Sequence, residues 1–211
     1  MNINNQYDYW DRVAAQKTFT HPLQLPLLLQ YVTKQATIID YGCGYGRVVA
    51  ELLNHQFEKV RGYDTSIELV KRGLAQSLPL HYIATSVMLP LAKNSIDCFL
   101  LFAVLTCIPS NAGQSELLQL LHSKLRPGGY IYISDYYLQE NEKAISRYEC
   151  LNNDPDNYGV FTLPEEATLR HHPREWINKL VAEFTLLHHE EIDVNTMNGN
   201  GARAFQLVLQ K

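Results

Sequence analysis

The sequence predicts an α/β protein: a doubly wound, seven-stranded, mostly parallel sheet with an antiparallel last strand. Three observations lead there. Apolar runs of strand length alternate with amphipathic helical stretches along most of the chain. A buried-type strand ends in the run Ile38-Ile39-Asp40-Tyr41-Gly42-Cys43-Gly44-Tyr45-Gly46-Arg47 and passes straight into a helix. Near the end, Met197-Asn198-Gly199-Asn200-Gly201 carries two Asn-Gly pairs, strong formers of tight hairpin turns, between two strand-like segments that it joins antiparallel.

Taken in order, residues 23–34 read as an apolar helix with Pro22 and Pro26 near its start. The first strand covers residues 37–40 and the glycine loop leads into a helix at 47–54. A second strand, 60–63, precedes a helix at 66–75, for which Thr65 or Ser66 supplies the N-cap. The third strand is short, residues 81–84, and the fourth, 97–104, has Phe99, Leu100, Leu101 and Phe102 in succession, a pattern buried on both faces. An amphipathic helix at 114–125 is stopped by Pro127-Gly128-Gly129 before the fifth strand, 130–134. From Asp135 to His172 lies an insertion too long for a plain connector and read as a lid over about residues 136–172; residues 139–148 look helical, and 158–163 with 167–171 suit a hairpin. A helix then starts at Pro173-Arg174-Glu175-Trp176, with proline at its first position, and strands at 184–195 and 202–210 close the chain.

The glycine loop is where chemistry is expected. Glycine adopts positive φ and has no Cβ, so the backbone turns sharply and comes close to a ligand. A diphosphate-binding fingerprint requires Gly-x-Gly-x-x-Gly, and Arg47 stands where its third glycine would fall, which disfavours dinucleotides. Asp64 ends the second strand roughly 20 residues on, where a doubly wound sheet places the acid that accepts ribose hydroxyls.

These residues, with Tyr63-Asp64-Thr65-Ser66, Leu89-Pro90-Leu91 before Ser95-Ile96-Asp97, and Leu125-Arg126-Pro127-Gly128-Gly129, make the chain resemble the class I S-adenosylmethionine-dependent methyltransferases. The resemblance covers about residues 36–135 and implies a Rossmann-like methyltransferase fold using S-adenosyl-L-methionine. It implies that Gly42, Cys43, Gly44 and Gly46 pass under the methionine part, that Asp64 binds the ribose, and that Thr85, Ser86 and Val87 flank the adenine. Asp40, Thr65, Phe102 and Ala103 complete the cofactor contacts so implied. Thr85 departs from the acid often found at its position in this family.

Methyl transfer from a sulfonium needs in-line positioning and exclusion of water, and needs a base only when the nucleophile arrives protonated. The catalytic candidates are therefore few: Tyr9, from an aromatic-rich N-terminal segment whose faces suit a cation, and His171 and His172 at the end of the insertion. The histidines serve equally well as helix caps or packing groups, the tyrosines as ordinary core. Asp135 either polarises an acceptor hydroxyl or makes a local hydrogen bond, and Met197 and Asn198 either line the acceptor cavity or form a solvent turn.

The chain has 211 residues, enough for one sizeable core, and a formal net charge of -4 without a lysine-arginine cluster, which disfavours a large nucleic-acid partner. It lacks an apolar run of about 20 residues and a basic-then-apolar leader, so a single cytoplasmic domain without membrane contact is expected. Cys43, Cys98, Cys107 and Cys150 show no paired metal-ligand spacing and read as reduced thiols, and no metal is expected. A small-molecule acceptor is the main expectation; RNA or protein methylation, a silent cofactor-binding protein and, least favoured, an oxidoreductase are the alternatives.

Overall fold

A computed structural model describes residues 6–85, 88–150 and 158–211. The central sheet is built from β1 (Thr37–Tyr41), β2 (Lys59–Asp64), β3 (Leu80–Tyr82), β4 (Ile96–Phe102), β5 (Leu125–Tyr136), β8 (Thr185–Asn195) and β9 (Gly201–Gln210), in the order β3-β2-β1-β4-β5-β9-β8. β1 to β5 pair in parallel, β9 runs antiparallel to β5 and β8, and β8 therefore points the same way as β5. The reversal between β1 and β4 puts a crevice beyond the carboxyl ends of these two strands, where open α/β sheets bind ligands.

Alternation along the strands explains why both sheet faces are covered. Ile39, Phe99, Leu101, Ile131, Ile133 and Leu207 share one apolar cluster with Leu117, Leu118 and Leu121 of α5 (Asn111–Lys124) and Ile177 of α7 (Arg174–Leu180). Their immediate neighbours Ile38, Cys98, Leu100, Tyr132 and Val208 share the other with Val48, Val49 and Leu52 of α3 (Arg47–Asn54) and Val70 of α4 (Ile67–Leu74). A period of two with both sets apolar permits only a strand packed on both sides.

Local signals set the helix starts. Ser66 accepts the Leu69 N–H at 3.2 Å and caps α4, and Ser110 does the same for Gly113 at 3.0 Å in α5. Helix bounds differ from those expected: α5 starts three residues earlier, at Asn111, and the helix of the insertion three later, at Glu142. The α-helix expected over 23–34 is only α2 (Leu25–Leu28), continued by three-residue turns at Gln30 and Tyr31 that still bury Leu27, Leu28 and Val32. Pro173 is the extended N-cap of α7, one place earlier than expected, with ψ 143°.

The insertion after β5 contains α6 (Glu142–Glu149) and the hairpin of β6 (Val160–Thr162) and β7 (Thr168–Arg170). Its end is stitched back to the sheet by a parallel bridge between Tyr137 and His172. α1 (Tyr7–Val13) docks on α4, where Asp11 Oδ1 accepts the Ser66 hydroxyl at 2.6 Å and the Glu68 N–H at 3.1 Å. Gln6 bonds to the backbone of Thr168 in β7, so the N-terminal segment and the insertion hold each other. Among the described residues no helix is long and apolar enough to cross a membrane.

Candidate active site

Gly42, Gly44 and Gly46 all take positive φ, at 70°, 55° and 82°, which is why glycine alternates here. The loop is bound to the neighbouring strand: Gly42 N donates to Tyr63 O at 2.8 Å and Gly44 N to Asp64 Oδ2 at 2.7 Å, while Asp64 Oδ1 accepts Ser66 N at 2.8 Å. Asp64 thus ties the glycine loop to the start of α4. Burial raises its carboxyl above the ordinary range, opposed by the N–H groups of Ser66, Gly44 and Thr65. Asp40 is pushed up to about 8 by burial, with the Arg47 guanidinium pulling it down and Asp64 adding to the rise.

Above this loop lies a cavity of about 640 Å³, within the range of small-ligand pockets. Its floor includes Asp40, Gly42, Cys43, Asp64, Thr65, Phe102 and Ala103. The N-terminal segment contributes Gln6, Trp10, Phe19 and His21; the insertion contributes Lys143, Arg147, Phe161 and His171; the β8–β9 turn brings Met197 and Asn198. Ala103 has φ 55°, a conformation uncommon for a residue with a Cβ, and its N–H bonds to Ser134 O at 2.8 Å.

Several expected residues stand elsewhere. Gly44 and Gly46 belong to the loop but not to the wall; the Phe19 ring lies over Gly44, so a Cβ there would sit 2.0 Å from its Cε2. Thr85 is off the wall, its Oγ1 buried without a hydrogen-bond partner among the described residues, and Ser86 and Val87 lie outside the described residues. Tyr9 is buried behind the wall, against Trp10 at a ring-centroid distance of 4.9 Å, and it is Trp10 that faces the cavity.

The adjacent histidines are split by extended backbone. His171 lines the cavity, its Nδ1 2.6 Å from the Tyr148 hydroxyl, and burial with the neighbouring His172 pushes it down to about 3. His172 turns the other way, fully buried, with Nε2 3.5 Å from Asp135 Oδ1. A group so placed touches no acceptor, which removes His172 as a proton acceptor. Asp135 is equally internal: its two oxygens accept the N–H groups of Thr106 at 3.1 Å and Tyr136 at 2.8 Å.

His21 was missed by sequence reasoning. It is 3% exposed, lines the cavity, bonds through Nδ1 to Ser134 Oγ at 2.9 Å and packs edge-on against Tyr136 at 4.6 Å. Burial pushes it down to about 4, so the ring is neutral at neutral pH. A lone histidine before Pro22 carries no local signal of such a place.

A family model described as a methyltransferase domain matches residues 16–178, and the chain belongs to that family. Its sheet is the Rossmann-like one of solved S-adenosylmethionine-dependent methyltransferases, whose fold it shares. The chain is 27% identical to the tRNA U34 carboxymethyltransferase of Shewanella frigidimarina over 202 residues, covering 89% of this chain and 52% of that protein. It therefore spans about half the length of the curated relatives it matches. A solved S-adenosylmethionine-dependent methyltransferase from Methanosarcina mazei superposes with a TM-score of 0.79 at 20% identity, over 88% of this chain and 97% of that one. The Burkholderia thailandensis 1,6-didemethyltoxoflavin-N1-methyltransferase, solved with bound 1,6-didemethyltoxoflavin and S-adenosylhomocysteine, superposes with a TM-score of 0.63 at 16% identity, covering 98% of this chain and 79% of that one. The residues present fit the cofactor: a glycine-cradled strand end and a strand-terminal carboxylate meet on one cavity floor.

Proposed function

We propose that the chain methylates a small molecule held in the 640 Å³ cavity, with the cofactor on its Asp40–Asp64 floor and the acceptor beneath the N-terminal segment and the insertion. One observation carries this reading: the glycine loop and Asp64 open into the same cavity that Trp10, Phe19, Phe161 and His171 cover. In it Asp64 receives the ribose hydroxyls, Gly42 and Cys43 lie along the methionine part, and Phe102 and Ala103 border the nucleoside. Bound S-adenosylmethionine supplies an electrophilic methyl group on a sulfonium. The protein's part is to enclose and aim: the aromatic wall excludes water, and the covering segments fix the acceptor in line.

His171 is a weak proton acceptor here. A group held down to about 3 is poorly matched to base catalysis near neutral pH, so its role is to bind and orient. A tRNA acceptor is the second reading, favoured by the name of the Shewanella relatives. Against it stand the net charge of -4 and an acceptor space walled by two covering segments. Incubation with labelled S-adenosylmethionine and, separately, a small-metabolite extract and total tRNA decides between them. Label in a product of low mass supports the proposal; label confined to tRNA sinks it.

A further inference from the structure

Proton positions on the acceptor wall follow from hydrogen-bond accounting. Tyr148 is 2% exposed, and its hydroxyl accepts the Gln139 N–H at 3.1 Å. Among the described residues the one acceptor left for its own proton is His171 Nδ1, at 2.6 Å. An imidazole that accepts at Nδ1 and stays neutral carries its proton on Nε2, so the second ring nitrogen of the cavity-lining His171 is a donor.

His21 repeats the arrangement. Gln206 Nε2 is fixed by donation to the Pro22 carbonyl at 3.1 Å and reaches Ser134 Oγ at 3.4 Å, while Gln206 Oε1 accepts the Tyr132 hydroxyl at 2.6 Å. Among the described residues the buried Ser134 hydroxyl then has only His21 Nδ1, at 2.9 Å, to receive its proton. His21 Nε2 is left carrying a hydrogen, buried, with no partner among the described residues.

Charge on the insertion has the same sense. Lys143 and Arg147, one turn apart on α6, both line the cavity, and neither makes an ion pair among the described residues. Arg147 is near enough to His171 for its charge to disfavour protonation there. Three side-chain carbonyl oxygens of cavity-lining residues are already engaged: Asn141 Oδ1 by Ala144 N at 3.0 Å, Gln139 Oε1 by Arg203 N at 2.7 Å, and Asn198 Oδ1 by Lys17 Nζ at 2.8 Å.

We infer that the acceptor carries an anionic group, a carboxylate or a phosphate, which docks on Arg147, Lys143 and the His171 Nε2–H. A wall that offers donors and positive charge recognises oxyanions and rejects neutral or cationic molecules of the same shape. The groups hold and orient the acceptor; they do not remove its proton. This inference rests on the small-molecule reading above.

The experiment has two stages, so that the two readings fail separately. Calorimetry with S-adenosylhomocysteine comes first, and no binding there would sink the methyltransferase reading itself. Protein saturated with S-adenosylhomocysteine is then titrated with benzoate, phenyl phosphate and benzamide. At least one anion should bind about tenfold or more tightly than benzamide, and the preferred one tells carboxylate from phosphate. Arg147→Gln and Lys143→Gln should each weaken the anion several-fold, leaving S-adenosylhomocysteine affinity unchanged. Equal binding of benzamide, no anion binding, or indifference to both substitutions overturns the inference. Long-range proton–nitrogen spectra of the imidazoles give an independent check: His171 protonated on Nδ1 overturns it as well.

Discussion

Gly44→Ala tests the packing of the glycine loop against the N-terminal segment. Its φ of 55° is left-handed, which costs an alanine about 1–2 kcal/mol. The new Cβ would lie 2.0 Å from Phe19 Cε2 and 2.8 Å from Cδ2, against an ordinary carbon contact of about 3.5–4.0 Å, so the ring must leave its place. That ring is stacked on Tyr45 at 5.1 Å and meets Trp10 edge-on at 6.0 Å. Such aromatic pairs contribute about 0.5–1.5 kcal/mol each, and their loss brings the expected destabilisation to roughly 2–5 kcal/mol. Urea unfolding of the ligand-free protein measures it. Phe19→Ala removes the clash, so the double variant should be more stable than the sum of the two single changes predicts, by about 1–2 kcal/mol. Gly44→Ala as stable as the parent, or strict additivity, would refute this account of the loop. The consequence for binding is direct: a side chain at residue 44 strikes Phe19 first, so loss of cofactor affinity must be read together with loss of stability.

Further outcomes follow from the same geometry. Asp64→Ala should weaken S-adenosylhomocysteine by about 1.5–3 kcal/mol in calorimetry through lost charge-assisted hydrogen bonds, and unchanged affinity would misplace the ribose. His21 and His171, held down to about 4 and about 3 by burial, stay neutral in the fold where unfolded imidazoles near 6.5 are protonated. The unfolded chain then binds more protons between about pH 3 and 6.5, so their contribution is complete above about 6.5 and falls by a few kcal/mol as the pH drops through that window. Asp40, raised to about 8, acts in the opposite sense between about pH 4 and 8, so Asp40→Asn should steepen the acid loss. A stability indifferent to pH from 7 to 5, in parent and Asp40→Asn alike, contradicts both assignments. Hydrogen exchange should show protection gained on adding S-adenosylhomocysteine in the described parts of residues 7–19 and 136–172, with little change in β1 and β4; no gain in either segment would end the idea that they form a closing cover.

What the sequence showed well was whatever depends on neighbours along the chain. Three alternating glycines before α3 fix their own conformation, the pairs Ile38-Ile39 and Phe99-Leu100 announce a sheet buried on both faces, and Asn198-Gly199 makes the β8–β9 turn that reaches the cavity. Facing directions were less legible. Adjacent residues in extended chain point to opposite sides, so His171 and His172 had to separate, but the side given to each depends on the bridge between Tyr137 and His172. Tyr9 and Trp10 show the same uncertainty on a helix that long-range contacts with α4 and the insertion orient. His21 depends wholly on long-range partners, Ser134 and Tyr136, more than a hundred residues away.

A crystal structure of the protein with S-adenosylhomocysteine tests the central claim most directly. The account predicts the nucleoside on the floor formed by Asp40, Asp64 and Ala103, both ribose hydroxyls within hydrogen-bond reach of Asp64, and the sulfur facing the wall of Tyr136 and His171. Ribose away from Asp64, or a sulfur turned from that wall, would contradict it.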